Sequence, residues 1–237
     1  KSLIACPLFH QDRAIGVLKI ISDKSDTFHD SDIQMMQIIS GFIGTALAQQ
    51  LAHQTTENAL RDKSIAYEKL KEAEKKLAFI ANHDHLTQLP NRHYFSQVLK
   101  ESLSEAIDKN YKIALIYLDI DYFKQINDTH GHDIGDQLLK AFAQRLERSI
   151  RQSDTATRLG GDEFIVLLRS VTGEEPVKVA INILKNLTTP FKFGQITLNI
   201  GSSIGIAILD ETIRSPDDLI KNADKQLYEA KKAGRNC

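Results

Sequence analysis

Two adjacent glycines followed by two adjacent carboxylates, Gly160-Gly161-Asp162-Glu163, stand between β-rich runs at 156–159 and 164–168. The glycine pair reads as a hairpin turn that needs φ > 0, with a double negative charge at its mouth. Side chains alternate along a strand, so Asp162 and Glu163 point to opposite faces unless the turn twists them. A carboxylate there serves either as an ordinary solvated turn residue or as a ligand for a hard cation beside a phosphate. The second use requires a partner carboxylate from a neighbouring strand end, because Mg²⁺ next to phosphates takes one or two carboxylates and completes its shell with phosphate and water oxygens. Asp119, closing the apolar run 113–120, is that partner. With the two strands adjacent, Asp119, Asp162 and the Ile120 carbonyl form an oxygen-only site suited to Mg²⁺ or Mn²⁺.

Groups for a phosphorylated ligand lie near these carboxylates in sequence. A short helix expected over 121–128 would offer free N–H groups to an anion, and Lys124 adds a cation. Lys231 and Arg235, four apart at the end of the last helix, suit phosphate binding and macrodipole complementation equally well. Asn127 and Asp136 flank a glycine-bearing loop at 129–132. Guanine presents N1–H and N2–H₂ donors next to an O6 acceptor, which an Asp/Asn pair matches better than it matches adenine. The plain alternative is a helix-terminal Asn and a helix-initial Asp.

These groups need a scaffold, and 237 residues suffice for one to two domains. Apolar residues at 42% and charged ones at 26% exclude a disordered chain. A net charge of -1 without a polybasic stretch argues against a nucleic-acid partner. Cys6 and Cys237 match no metal or redox spacing and read as reduced thiols. No apolar run approaches the roughly 18 residues of a membrane helix, and there is no signal peptide. The catalytic portion is therefore expected in the cytoplasm. The chain reads as a fragment of a longer protein, in which any membrane anchor would lie outside these residues.

The chain opens with a β-hairpin, 2–9 and 14–22, in which Pro7 marks an edge or bulge. Ser31 and Gln34 have the spacing of a capping box for a long amphipathic helix. That helix is expected to run to about residue 82. Lys63, Ala66, Leu70, Ala73, Leu77 and Ile80 recur at spacings of 3, 4, 3, 4 and 3, an a/d seam that favours a parallel two-stranded coiled coil over a lone solvated helix. The polar stretch 54–58 weakens the seam as a stutter or hinge. Pro90 breaks the helical pattern at 84–92. Beyond it the expected order is helix 94–108, strand 113–120, helices 121–128 and 133–150, the glycine hairpin, helix 174–187, strand 195–209 and helix 216–233. Ser215 caps the last helix, with Pro216 at its first position. This is an α+β arrangement with helices on one face of the sheet, related to the ferredoxin-like βαββαβ fold.

Two resemblances sharpen this reading. The string SLIACPLFHQDRAIGVLKIISDKSDTFHDSDIQMMQIISGFIGTALAQ resembles the C-terminal half of a GAF sensory domain, without the half that carries most ligand contacts, so the sensor ligand is left unknown. LDIDYFKQINDTHGHDIGDQLL at 118–139, RLGGDEF at 158–164, DHLTQLPNR and the terminal KKAGRN resemble a GGDEF-type diguanylate cyclase. The implied organisation is a partial GAF-like sensor at 1–50, a helical linker or coiled coil at 51–82, and a cyclase domain with the nucleotidyl-cyclase palm at 83–237. The implied reaction condenses two GTP into cyclic di-GMP and two pyrophosphates, with Mg²⁺ or Mn²⁺, in a homodimer. By resemblance, Asp119, the Ile120 carbonyl and Asp162 hold the metals, and Glu163 activates the ribose 3′-OH or assists metal binding. Asn127, His132 and Asp136 meet the guanosine, Lys124, Lys231 and Arg235 hold the phosphates, and Gly160 and Gly161 line the nucleotide. Arg151 and Asp154 fit the R-x-x-D form of the family's inhibitory product site; a surface salt pair is the plain alternative. A binding module without turnover fits less well, since no signature position is degenerate, and a cyclase for another nucleotide is only weakly opposed by the Asn127/Asp136 pair.

Overall fold

The computed structural model describes residues 1–211, 213 and 215–237. The chain divides into two compact units, Lys1–Glu74 and Lys75–Cys237.

In the first unit β1 (Ser2–His10) and β2 (Arg13–Ser22) form an antiparallel hairpin with a bulge at Leu8/Phe9, just after Pro7. Ile4, Cys6 and Met36 form its small core. The long helix α1 (Asp30–Asn82) starts differently from expectation. The His29 N–H donates to Asp32 Oδ2 at 2.8 Å, and the Asp32 N–H returns to the His29 carbonyl at 2.9 Å. Asp32, with its shorter and charged side chain, thus takes the capping role expected of the Ser31/Gln34 pair. Leu70, Leu77 and Ile80 of the expected seam are exposed. Among the described residues no helix is long and apolar enough to cross a membrane.

The second unit is α+β. After the end of α1 come α2 (Arg92–Lys109), β3 (Lys112–Ile120), α3 (Phe123–His130), α4 (His132–Arg148), β4 (Thr155–Gly160) and β5 (Glu163–Val171). They are followed by α5 (Glu175–Leu187), β6 (Phe191–Phe193), β7 (Ile196–Leu198), β8 (Ser202–Ile208) and α6 (Pro216–Ala233). The sheet order is β4-β5-β3-β8 and every pairing is antiparallel. This is the ferredoxin-like strand order, and it puts β3 at the centre beside β5.

Helices cover both faces of the sheet, not one. Ala114, Ile116, Leu118 and Ile120 of β3 pack in one core with α4 and α5, while Ile113, Leu115 and Tyr117 pack in a second core with α2 and α6. The apolar alternation of β3 runs through both parities, which is what a strand buried on both sides requires. The expected strand 195–209 is divided. Gly194, at φ 60°, turns the short β6–β7 hairpin, and residues 199–201 lead into β8. α6 lies directly on β8 at Gly205, where a Cβ would meet the Ala223 carbonyl oxygen at 2.1 Å. That close approach sets the height of α6, and with it Lys231, over the sheet.

Candidate active site

Asp119 and Glu163 are register partners on β3 and β5, and Ile120 N–H donates to the Asp162 carbonyl at 3.4 Å. The end of β3 therefore meets the mouth of the β4–β5 hairpin. The turn residues are Gly161 and Asp162, with Gly160 paired to Glu163, so the loop sits one residue later than the glycine pair suggested. Gly161 at φ 53° supplies the left-handed residue of the turn. Asp162 consequently lies in the loop instead of opening the strand.

Arg158 holds the turn from inside. Its Nε and Nη2 donate to the Gly161 carbonyl at 3.0 and 2.7 Å, and its Nη1 donates to Asp84 Oδ1 at 2.8 Å. Asp84 also accepts from the Thr87 N–H and hydroxyl. Burial alone would push the Asp84 carboxyl up, but these hydrogen bonds and the Arg158 charge outweigh it and hold the group below its usual range. Sequence reasoning assigned neither residue a role. The available signal was an Arg in a β-rich run, since Arg is almost never buried unless paired.

Asp119 is 8% exposed, and Lys231 Nζ stands 2.7 Å from its Oδ2. Burial pushes the Asp119 carboxyl above its usual value; Asp162 and Asp121 push the same way and Lys231 opposes them. A concentration of negative charge that one ammonium does not neutralise fits a hard divalent cation, with oxygen-only donors and room for phosphate oxygens. Among the described residues no group of three or more His, Cys, Asp or Glu side chains is arranged as a complete metal cage, and two carboxylates with a carbonyl are the partial set that suits a metal carried with a nucleotide. Tyr117 lies two residues before Asp119 on the same face of β3, one register step from the Asp119/Glu163 pair. Burial, then the Glu163 and Asp224 charges, push its hydroxyl up to about 12. Tyr117 too went unassigned in the sequence.

The base-recognition candidates lie on α3 and α4. These helices are separated by Gly131 alone, not by a four-residue loop, and α3 begins at Phe123, two residues later than expected, because Tyr122 adopts φ 60°. Asn127 Oδ1 is buried and has no hydrogen-bond partner among the described residues. It packs against Gly135, where a Cβ would fall 1.9 Å from it. Gly135, the residue before Asp136, was not singled out in the sequence; its need to be glycine follows only from this contact. Lys124, His132 and Asp136 are exposed. Arg235 stacks over Tyr122 at 4.9 Å.

Arg151 and Asp154 border a cavity of about 740 Å³ together with Arg148, Glu175, Lys178 and Asn182. Arg151 is ion-paired with Glu175, while Asp154 accepts the Arg151 and Arg169 backbone N–H groups at 3.2 and 3.3 Å. Asp154 thus holds Arg151 through its backbone, while the Arg151 guanidinium pairs with Glu175 and makes no salt pair with Asp154.

Residues 81–237 match the family described as diguanylate cyclase, GGDEF domain, and residues 1–47 match the GAF domain. The chain is 41% identical over 154 residues to diguanylate cyclase DgcS of Shewanella oneidensis, covering 65% of this chain and 51% of that protein. It is 37% identical over 181 residues to diguanylate cyclase TpbB of Pseudomonas aeruginosa, covering 75% and 42%. The chain thus spans about half or less of the length of these relatives. Among solved structures, the coiled coil and GGDEF domain of DgcB from Caulobacter crescentus in complex with c-di-GMP superposes with a TM-score of 0.71 at 30% identity, covering 76% of this chain and 96% of that one.

Proposed function

Because the chain belongs to the GGDEF-domain diguanylate cyclase family, we propose that it condenses two GTP molecules into cyclic di-GMP with release of two pyrophosphates. The observation that carries this reading is the Asp119 carboxylate, buried at the end of β3, repelled by Asp162 and Asp121 and held by Lys231. Such a carboxylate suits a site where further positive charge arrives with a ligand.

Asp119, the Ile120 carbonyl and Asp162 would hold Mg²⁺ or Mn²⁺. When bound, such a cation supplies Lewis acidity at the α-phosphate and countercharge for the departing pyrophosphate. Glu163, opposite Asp119 in the β3–β5 register, accepts the proton of a ribose 3′-OH as its oxygen attacks the α-phosphorus of the other GTP. One P–O bond forms, the bond to pyrophosphate breaks, and a second such step closes the ring. Lys124, Lys231 and Arg235 neutralise the triphosphate, and Gly160 and Gly161 let it approach the backbone. The buried, unpartnered Asn127 Oδ1 supports a donor edge such as guanine's as its ligand, with Asp136 and His132 beside it. Turnover in Asp119→Asn and Asp162→Asn tests the assignment; activity near that of the unaltered chain in either variant removes that carboxylate from the mechanism.

One chain has one such set of ligands and the product contains two nucleotides, so the working unit is a homodimer. Residues 1–50 act as the remnant of a sensor, 51–82 as a coiled coil and 83–237 as the catalytic domain, located in the cytoplasm. The exposed Leu70, Leu77 and Ile80 support the pairing of two α1 helices. The cavity at Arg151 and Asp154, bordered also by Arg148 and Lys178, suits an anionic product acting as inhibitor.

A further inference from the structure

Asp121 is the second carboxylate at the end of β3, and unlike Asp119 it is fully engaged by the protein. It is 5% exposed. Its Oδ1 accepts from Ser203 Oγ at 2.7 Å, its Oδ2 accepts the Asn236 N–H at 3.0 Å, and its own N–H donates to the Gly201 carbonyl at 3.1 Å. A carboxylate removed from water persists only where such bonds satisfy it, and bonds from an ionised acceptor are the stronger class. Asp121 therefore ties the end of β3 to the turn that follows α6, 115 residues away.

That turn is an unfavourable one. Gly234, Arg235 and Asn236 have φ of 126°, 65° and 51°, and side-chain-bearing residues adopt the left-handed region only where the surroundings hold them there. The Arg235 N–H bonds the Ala230 carbonyl at 3.1 Å, and its guanidinium lies over the Tyr122 ring. Two consecutive residues, Asp121 and Tyr122, thus hold two consecutive residues, Asn236 and Arg235.

We propose that Asp121 and Tyr122 are positioning residues for triphosphate recognition. Asp121 fixes the 234–236 turn through the Asn236 N–H, and the Tyr122 ring seats the Arg235 guanidinium near the end of β3, where Lys231 meets Asp119. A guanidinium stacked on an aromatic face keeps its N–H edge free for phosphate oxygens. Holding it in place beforehand reduces the ordering cost of binding. Both act through the turn and Arg235, and neither side chain is assigned a phosphate contact. The proposal rests on the reading of Arg235 as a phosphate ligand given above.

The test is calorimetric binding of GMP and of α,β-methylene-GTP, which cannot react, to the full chain in metal-free buffer. Arg235→Ala is expected to weaken the triphosphate about tenfold, the value of a charge-assisted hydrogen bond, and to leave GMP unchanged. Asp121→Asn and Tyr122→Leu should each lower the triphosphate-to-monophosphate affinity ratio by about threefold or more, with no further loss when combined with Arg235→Ala. Tyr122→Phe, which keeps the ring, should restore the ratio. A purely structural role would lower the melting temperature and leave the ratio alone. Tyr122 is 56% exposed, so its variants decide the matter even if Asp121→Asn does not fold. An unaltered ratio in Tyr122→Leu, or additive loss in the double variants, overturns the seat while leaving Arg235 as a phosphate ligand. An unaltered ratio in Arg235→Ala overturns the phosphate reading itself, and the seat with it.

Discussion

Arg158 and Asp84 form an ion pair at 2.8 Å across 74 residues of sequence, with side chains 9% and 16% exposed. Through the same guanidinium the Gly161 carbonyl is fixed, so the segment that ends α1 and the turn that carries Asp162 share one anchor. Removing one partner of a buried pair leaves the other charge uncompensated.

Arg158→Ala is therefore expected to cost about 3 kcal/mol of stability and to lower turnover further by loosening the Asp162 turn. Urea unfolding monitored by circular dichroism measures the first. A loss below about 0.5 kcal/mol, the range of ordinary surface substitutions, would mean that the pair does not hold the turn.

The pH dependence has a definite sign. Asp84 has a carboxyl pKa lowered on folding, so the folded state binds its proton less readily than the unfolded state. Its contribution is fully present above the unfolded value of about 3.9 and is lost as pH falls through the lower folded value. The difference in stability between the unaltered chain and Asp84→Asn should thus shrink below about pH 4. A difference that is constant from neutral pH to pH 3 would contradict the assignment.

Gly135→Ala separates folding from recognition. Alanine in a helix interior normally gains up to about 1 kcal/mol over glycine, and the obstacle here is the movable end of the Asn127 side chain. A Cβ would also meet Asn127 Cγ at 3.0 Å and Phe123 Cζ at 3.3 Å, so the variant should keep its fold with a small change in melting temperature while binding GTP more weakly, because Asn127 is displaced. Unchanged GTP affinity would remove Asn127 from base recognition.

Leu70→Glu combined with Leu77→Glu places like charges across the proposed α1 seam. Tethering raises effective concentration to about millimolar for short linkers, so losing it should depress specific activity most at low protein concentration and spare GTP binding per chain. A dilution series beside a GTP titration measures both. Specific activity independent of concentration and equal to that of the unaltered chain would show that α1 does not assemble the site.

What the sequence made legible was the set of local patterns. The β3 run, the hairpin signalled by Gly160 and Gly161, the Ser215 cap and the adjacency of Asp119 to the hairpin strand follow from rules spanning a few residues or one strand pairing. Features that depend on how separate elements meet were not legible. Arg158 meeting Asp84, Gly135 facing Asn127, and Asp121 holding Asn236 each join residues that no periodicity links, and the second helical layer shows only in the unbroken apolarity of β3. The division of 195–209 falls at residues 199–201, between β7, which folds back on β6, and β8, which pairs with the distant β3.

The most direct measurement is product identification by mass after incubating the purified chain with Mg²⁺ and GTP, in parallel with ATP and with the Asp119→Asn variant. We expect cyclic di-GMP from GTP with two pyrophosphates per product, no cyclic dinucleotide from ATP, and no product from the variant. GTP binding without product in the unaltered chain, or equal conversion of ATP, would contradict a guanine-specific cyclase built on the Asp119 site.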